Sequence, residues 1–265
     1  MVPALPHGVR VVFLLALLSG CIVGDESASS GGETDVGVTG PNERPIPTNG
    51  LVLDVTLAAQ LPTGPLVDSA LFDTPAGREL VKYVAICALP QDQSLTIGGE
   101  RFDGFYGLAS QWPTAGCDTG CQHWVSACLL AHANQNGTPV PISLRADTST
   151  AFALEAQQLA SFTFQEAAFY GNLFQSELYA CLGNDSYMGG GDPQKFLDGR
   201  VCGFGSCGLV STGLCASLTQ FNDGACAHQP QPGGGYADCH VGAQGETTPR
   251  TSATFAEVVT VYLAP

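Results

Sequence analysis

Residues Cys117 to Gly137 read CDTGCQHWVSACLLAHANQNG and carry the clearest helical period in the chain. Asp118 is suited to cap the N-terminus of a helix, and Asn136-Gly137 is a common end signal. Between these ends, side chains that favour burial recur at steps of three and four, at Cys121, Trp124, Val125, Cys128, Leu129 and His132. The pattern predicts an amphipathic helix with Cys121 and Cys128 on its buried stripe.

A second helix is predicted upstream of the first. Thr74 can cap it, and Pro75 takes the first helical position, where the missing N–H of proline has no cost. One face of this helix carries Leu80, Val81, Val84, Cys87 and Ala88. We therefore expect Cys87 to point into the core.

Strand patterns surround these two helices. Apolar residues alternate over Leu51–Leu57 and over Val140–Leu144, as they do in half-buried strands. The prolines at positions 139 and 141 lack an N–H, so the second of these strands is predicted either to lie at a sheet edge or to begin irregularly. The aromatic run Phe162–Phe174 predicts one or two more strands, and Phe255–Leu263 predicts a closing strand.

The segment between Cys181 and Arg250 follows neither period. Glycines and cysteines dominate it, and we expect disulfides to replace secondary structure there. The predicted fold class is therefore α+β. We expect a single disulfide-rich domain with a mainly antiparallel sheet, two helices and a loop-rich C-terminal section.

Composition and charge exclude one class of partner and indicate a compartment. The 265 residues include 24 acidic and 9 basic ones, for a formal net charge of −15. Nucleic acid would be repelled by this charge, so we expect no nucleic acid partner. The 11 cysteines are typical of a protein that folds in an oxidising compartment.

The N-terminus carries a targeting signal. An apolar run, Val11–Leu18, is followed at once by Ser19, Gly20 and Cys21, and the sequence LSGC resembles a bacterial lipobox. The run is shorter than the ~20 residues that cross a bilayer, which favours a signal peptide over residues 1–20. The resemblance implies cleavage before Cys21, lipidation of Cys21 and a membrane partner through that lipid anchor. An ordinary secretory signal with a chance cysteine is the alternative.

The residue after Cys21 favours the outer membrane. Ile22 stands where the inner-membrane retention signal of enteric bacteria has Asp, so we expect an outer-membrane lipoprotein that faces the periplasm or the surface. Residues 21–50 lack aromatic side chains and are rich in Gly, Ser, Thr, Pro and acid, which predicts a flexible tether. The folded domain is predicted over residues 51–265.

The remaining cysteines are even in number. Without Cys21 there are ten, enough for five disulfides with no free thiol. The predicted disulfide cysteines are Cys87, Cys117, Cys121, Cys128, Cys181, Cys202, Cys207, Cys215, Cys226 and Cys239. The spacing suggests two clusters, within residues 117–128 and within 202–239, but the sequence alone does not choose the pairs.

Several blocks of the chain are similar to those of a known group of proteins. The blocks are CALPQDQS (87–94), GLASQW (107–112), the 117–137 stretch quoted above, PVPISLR (139–145), EAAFYGNLF (166–174) and YACLG (179–183). In this order they resemble recurring blocks in cysteine-rich secreted proteins and lipoproteins of myxobacteria. No activity is established for that group. The resemblance therefore implies a compartment and a shared domain, and it transfers no catalytic residue.

Metal and nucleotide sites are weakly indicated. His123, His132, His228 and His240 match no familiar zinc spacing when combined with the cysteines. The run from Gly203 to Gly208 has the G-x-G-x-x-G spacing of a dinucleotide site but contains Cys207, and Ser206 lacks the first glycine of a nucleophile elbow. We expect no cofactor. Calcium is the alternative, because oxygen ligands lie in glycine-rich loops at Asn184, Asp185, Asp192, Asn222 and Asp223.

No acid pair defines a hydrolase in the sequence. Glu155, Glu166 and Glu177 are single candidates for a general acid. We therefore expect a non-enzymatic outer-membrane lipoprotein that presents a rigid domain for binding or for envelope structure. Its expected partner is a protein or a polysaccharide. The alternatives are a secreted hydrolase that acts on envelope or prey polymers, and a calcium- or carbohydrate-binding module.

Overall fold

The computed structural model describes residues 46–67, 70–136, 138–153, 156–188, 192–203, 205–216, 224–228, 234–241 and 253–265. Its α-helices are α1 Val55–Ala58, α2 Pro75–Ala88, α3 Thr119–His132, α4 Ala156–Ser161, α5 Asn184–Met188 and α6 Pro193–Val201. Its strands are β1 Thr48–Asn49, β2 Ser94–Ile97, β3 Glu100–Asp103, β4 Val140–Pro141, β5 Ser143–Arg145, β6 Phe164–Asn172, β7 Glu177–Leu182, β8 Leu209–Leu214, β9 Cys226–His228, β10 Ala237–His240, β11 Thr254–Phe255 and β12 Val259–Leu263.

A five-stranded sheet forms the centre of the described chain. Its strand order is β5-β12-β6-β7-β8, and every pair is antiparallel except β7 with β8. The predicted α+β class is confirmed. The prediction of a single sheet is wrong, however, because the described chain has three smaller sheets beside the central one. These are β1-β4, β2-β3 and β11-β10-β9.

Of the two predicted helices, α3 packs on one face of the central sheet, and α2 packs against α3. The Thr74 hydroxyl accepts a hydrogen bond from the Gly77 amide at 3.0 Å, and the Asp118 carboxylate accepts one from the Cys121 amide at 2.9 Å. Both N-terminal caps are therefore confirmed. Helix α3 ends at His132 rather than at Asn136, because the backbone becomes extended at Ala133. The described residues form six α-helices rather than the two predicted, because the four additional helices are too short to show a sustained helical period.

The opposite face of the sheet carries a smaller core. Successive residues of β6 alternate between the faces: Ala167 and Phe169 pack with the helices, whereas Ala168 and Tyr170 pack against the β11-β10-β9 sheet. The predicted aromatic strand is thus β6, buried on both faces. The predicted closing strand divides, since Phe255 belongs to β11 and β12 inserts between β5 and β6.

The strand predicted over Leu51–Leu57 is wrong. The Asp54 carboxylate accepts a hydrogen bond from the Leu57 amide at 3.0 Å and caps the short helix α1 there. Such a local cap offers the backbone an alternative to a strand. The fold also begins earlier than residue 51, because β1 is buried and pairs with β4. The Val140–Leu144 pattern divides into β4 and β5, and β5 lies at the sheet edge as predicted.

The expectation of disulfides without secondary structure after Cys181 is also wrong. This part of the chain holds α5, α6, β8, β9 and β10. Helix α6 begins with an Asp192 cap and Pro193 at its first position, the same signature that correctly predicted α2. Among the described residues, no helix has the length and apolar character needed to cross a bilayer.

Candidate functional site

All ten cysteines from Cys87 onward are joined to one another. The disulfides are Cys87–Cys128, Cys117–Cys121, Cys181–Cys215, Cys202–Cys207 and Cys226–Cys239. Three of them lie within the two predicted clusters. The other two reach across elements, since Cys87–Cys128 joins α2 to α3 and Cys181–Cys215 joins β7 to the end of β8. No described cysteine is left as a free nucleophile.

Several predicted features lie outside the described residues. These are the signal peptide of residues 1–20, Cys21, the tether as far as residue 45, Glu155, Asn222 and Asp223. Lipidation and the part of the calcium hypothesis that rests on the last two residues therefore stay predictions.

Glu166, one of the candidate acids, forms a buried ion pair. Its Oε1 accepts a hydrogen bond from Arg200 Nε at 2.7 Å, and both side chains are buried. Arg200 also donates to the carbonyls of Ala131, at 2.8 Å, and Ala133 at the C-terminal end of α3. One guanidinium therefore joins α6, β6 and the end of α3. This arrangement is typical of a structural cation rather than of a general acid's partner.

A β-bulge explains how a carboxylate reaches this position. Along β6 and β12, Val261 pairs with Ala167 and Tyr262 pairs with Gln165, so Glu166 is the extra residue. The bulge turns the Glu166 side chain toward α6. Its second oxygen, Oε2, is buried and has no hydrogen-bond partner among the described residues.

Gln165, beside the bulge, is the centre of a buried polar network. Its Oε1 accepts from Tyr236 Oη at 2.9 Å, and its Nε2 donates to Tyr262 Oη at 2.8 Å. The Arg145 guanidinium lies 3.6 Å from the centre of the Tyr262 ring. Burial raises the pKa of both tyrosines and lowers that of Arg145. The tyrosines therefore stay protonated, which suits structural hydrogen bonds and not proton transfer near neutral pH.

A half-exposed pair of titratable groups lies on the surface at the start of α3. His123 Nδ1 is 3.3 Å from Glu257 Oε2, and about a fifth of the His123 side chain and a quarter of Glu257 remain exposed. The hydrogen bond from His123 lowers the pKa of Glu257. The His123 ring also meets Phe255 edge-on, with 4.9 Å between ring centroids.

Aromatic rings extend this surface away from the pair. Tyr179 is partly exposed, stacks on the buried Tyr170 at 5.9 Å and lies 5.8 Å from Phe255. Phe255 thus contacts both His123 and Tyr179. We call these four residues, His123, Glu257, Phe255 and Tyr179, the aromatic face. A ring bordered by a carboxylate and an imidazole offers stacking and hydrogen bonds at one place.

The detected cavity near the helices is too small for a substrate. It has about 10 Å³, close to the space for one water molecule. Phe105, Tyr106, Leu144 and Phe152 are among its lining residues. This cavity offers no site for the predicted hydrolase chemistry.

Of the loop residues predicted as calcium ligands, Asp185 and Asp192 have side-chain partners within the chain, whereas Asn184 Oδ1 is buried without a hydrogen-bond partner among the described residues. Asp185 accepts from the Gln165 amide at 2.7 Å, and Asp192 accepts from the amides of Gln194 and Lys195 at the start of α6. The Asn184 amide donates to Gln165 at 3.3 Å. Both aspartates therefore support local structure.

Two clusters of metal-ligand types occur among the described residues, and both contain disulfides. One holds Cys87, Cys128 and His132, and the other holds Cys181, Cys215 and Cys226. A sulfur in a disulfide is not a thiolate, so neither cluster is a metal site in the oxidised protein. His132 contacts the Thr48 carbonyl at 2.8 Å, and His240 contacts Thr254 at 2.9 Å.

The dinucleotide spacing at Gly203–Gly208 lies in the wrong context. The loop follows helix α6 and precedes strand β8, whereas a dinucleotide site follows a strand and opens a helix. The Cys202–Cys207 disulfide closes it. Ser206 lies in the same exposed loop.

Sequence reasoning missed two residues of these sites. Arg200 lies 34 residues from Glu166, and Glu257 lies 134 residues from His123. The only signal for Arg200 was that basic residues are rare, since the whole chain has nine of them.

Comparison with known proteins finds no matching family model, no matching curated protein and no matching solved structure.

Proposed function

We propose that this chain is a lipoprotein of the bacterial outer membrane whose disulfide-rich domain binds or supports another component of the envelope. One observation carries the proposal. The ten cysteines of the described chain pair with one another, which leaves Cys21 as the single cysteine outside these bridges. Five disulfides are compatible with an extracytoplasmic location, and the lipobox gives Cys21 a separate role.

The site geometry favours binding over hydrolysis. The buried candidate acid, Glu166, is held by Arg200, and the detected cavity has room for about one water molecule. Within the aromatic face, His123, Glu257 and Tyr179 are partly exposed, whereas Phe255 is buried. A domain of this kind presents a rigid surface on a tether, which supports the role of an anchored binding module over that of a secreted hydrolase.

The anchor is tested by Cys21→Ser in the native host. We expect the variant to move from the membrane pellet to the soluble fraction, because it lacks the acyl chains that hold the domain at the bilayer. Its five disulfides should remain, as measured by mass spectrometry without reduction. A matched control is Cys202→Ala/Cys207→Ala, which loses two cysteines on an exposed loop and should stay with the membrane. Cys21→Ser that still pellets after a carbonate wash would contradict the proposal.

Carbohydrate binding is the second candidate, and the aromatic face favours it. A partly exposed tyrosine that is backed by a second ring can stack on a sugar, while Glu257 and His123 accept and donate hydrogen bonds. The ligands of the aromatic face would then be polysaccharides of the cell envelope.

Co-sedimentation with purified envelope polysaccharide tests this face. We expect Tyr179→Ala to raise the dissociation constant by about tenfold, which corresponds to ~1.4 kcal/mol of binding free energy. Tyr187→Ala is the control, because Tyr187 is more exposed and lies on α5. Equal binding by the two variants would exclude the aromatic face as the sugar site.

A further inference from the structure

Two disulfides touch each other on the face of the central sheet opposite α2 and α3. Cys181 Sγ lies 3.6 Å from Cys226 Sγ, although the two cysteines belong to different bridges. The sulfur atoms of Cys181, Cys215 and Cys226 all lie within 4.8 Å of one another. Sulfur atoms at 3.6 Å are in van der Waals contact. A thiolate at Cys226 would therefore already be next to the sulfur that it could attack.

Backbone hydrogen bonds hold these cysteines in place independently of the bridges. The Cys226 amide donates to the Cys215 carbonyl at 3.0 Å, and the Cys215 amide donates to the Leu182 carbonyl at 3.0 Å. Cys226 and Cys239 are directly opposed in the antiparallel β9-β10 pair. The four sulfurs should therefore stay close to one another after one bridge has opened.

Exposure determines which bridge a reagent meets first. Cys226 is 6% exposed, whereas Cys181, Cys215 and Cys239 are fully buried. Cys226 also belongs to β9, an edge strand of the β11-β10-β9 sheet. Among these four cysteines, Cys226 is therefore the one with measurable exposure in the described chain, and we expect a reagent to attack its bridge first.

We propose that Cys181, Cys215, Cys226 and Cys239 form a thiol–disulfide exchange site for dithiols, either small molecules or protein dithiols. One thiolate of the dithiol attacks Cys226 Sγ, forms a mixed disulfide and releases the Cys239 thiolate. The second thiolate then attacks the dithiol's own sulfur in that mixed disulfide, which releases Cys226 as a thiolate and leaves the dithiol oxidised to a disulfide.

The second half of the exchange occurs within the protein. The Cys226 thiolate attacks Cys181 Sγ, so that a Cys181–Cys226 bond forms, the Cys181–Cys215 bond breaks and the electron pair leaves on Cys215. Two electrons have passed from the dithiol to the protein, and Cys215 and Cys239 take up protons as thiols. The covalent link between β7 and the end of β8 is thereby replaced by a link between β7 and β9.

The Cys87–Cys128 bridge provides an internal comparison. Both of its cysteines are fully buried in the helical core. The side chain that lies next to its sulfurs is that of His132 and not that of a third cysteine. The proposed exchange therefore does not apply to it. It should stay intact while the exchange site reacts.

The test uses the full chain purified from the cell in its native state. A limiting amount of dithiothreitol is added, free thiols are trapped with iodoacetamide, and linked peptides are mapped by mass spectrometry. We expect a Cys181–Cys226 linkage with alkylated Cys215 and Cys239, and an intact Cys87–Cys128 linkage. Alkylation of Cys226 and Cys239 with Cys181–Cys215 intact and no new linkage would overturn the proposal.

Two double variants sharpen the result. In Cys226→Ala/Cys239→Ala, reduction of the Cys181–Cys215 bridge should be about tenfold slower than in the parent, because the internal thiolate is absent. In Cys202→Ala/Cys207→Ala the rate should match the parent. An unchanged rate in the first variant would also overturn the proposal. Mapping of the parent protein does not depend on how well either variant folds.

Discussion

The two faces of the central sheet are stabilised in different ways. Among the described residues, the face that α3 covers has a cluster of 45 buried apolar residues, of which four are cysteines. The opposite face has a cluster of 11, and four of these are also cysteines. On the first face apolar burial dominates, whereas on the second face disulfides replace much of the apolar area that a small core cannot supply.

Loop length does not explain this difference. The Cys87–Cys128 and Cys181–Cys215 bridges close loops of similar length, with sequence separations of 41 and 34 residues. Chain entropy alone assigns each of them about 4 kcal/mol. If removal of one bridge affects the protein differently from removal of the other, the difference therefore reflects the packing around each bridge.

The largest expected effect comes from removing these two bridges in turn. Cys87→Ala/Cys128→Ala and Cys181→Ala/Cys215→Ala should each lower the free energy of unfolding by about 2–5 kcal/mol. Only the second should also expose the amides of β8, β9 and β10 to hydrogen exchange, because few apolar contacts remain there. Urea unfolding and exchange mass spectrometry measure the two quantities. Identical exchange patterns in the two variants would remove the distinction between the faces.

A second prediction concerns the ion pair on the helical face. Glu166→Gln keeps the shape of the side chain but leaves the buried Arg200 cation without its counter-charge. We expect a loss of about 3 kcal/mol in the free energy of unfolding, measured with urea. Glu100→Gln, on an exposed strand, should change it by less than about 0.5 kcal/mol. Similar values for both would show that the pair is not important for stability.

The smallest expected effect concerns the aromatic face. The pKa of Glu257 is lowered below its ordinary value of 4.5 in the folded protein, so the charged carboxylate stabilises the fold above that pH. This stabilisation is lost as the pH falls through the lowered pKa. Because the pair is half-exposed, Glu257→Gln should cost less than about 1 kcal/mol at about pH 6, and the difference should disappear by about pH 2. Urea midpoints across this range measure it, and a constant difference would contradict the assignment.

The sequence was informative where a signal is local. The caps at Thr74 and Asp118 lie within three residues of the amides that they bind, so the pattern contains the whole interaction. The Asp192-Pro193 cap carried the same information. It was missed because glycines and cysteines around it favoured a loop interpretation.

The parts that could not be predicted depend on distant residues. Glu166 meets Arg200 only because a bulge turns one residue of β6 toward α6, and neither spacing nor composition encodes that bulge. The pairing of Cys181 with Cys215 likewise follows from the parallel β7-β8 alignment. Sequence parity predicts that cysteines pair, but only the fold determines which ones meet.

The side chain of Gln194 has a consequence for the proposed lipoprotein, whose copies would be held close together on one membrane. Its Oε1 accepts from the Ser211 amide at 2.8 Å and its Nε2 donates to the Leu209 carbonyl at 3.0 Å, so it imitates one peptide unit of a strand added to β8. Asp198 fixes the amide from α6 at 2.8 Å. Such copies would be crowded in two dimensions, where the unpaired edge of one sheet can bind the edge of a neighbour. With this glutamine in place, the Ser211 amide and the Leu209 carbonyl are already bonded, which opposes the pairing of β8 with the sheet edge of a second copy.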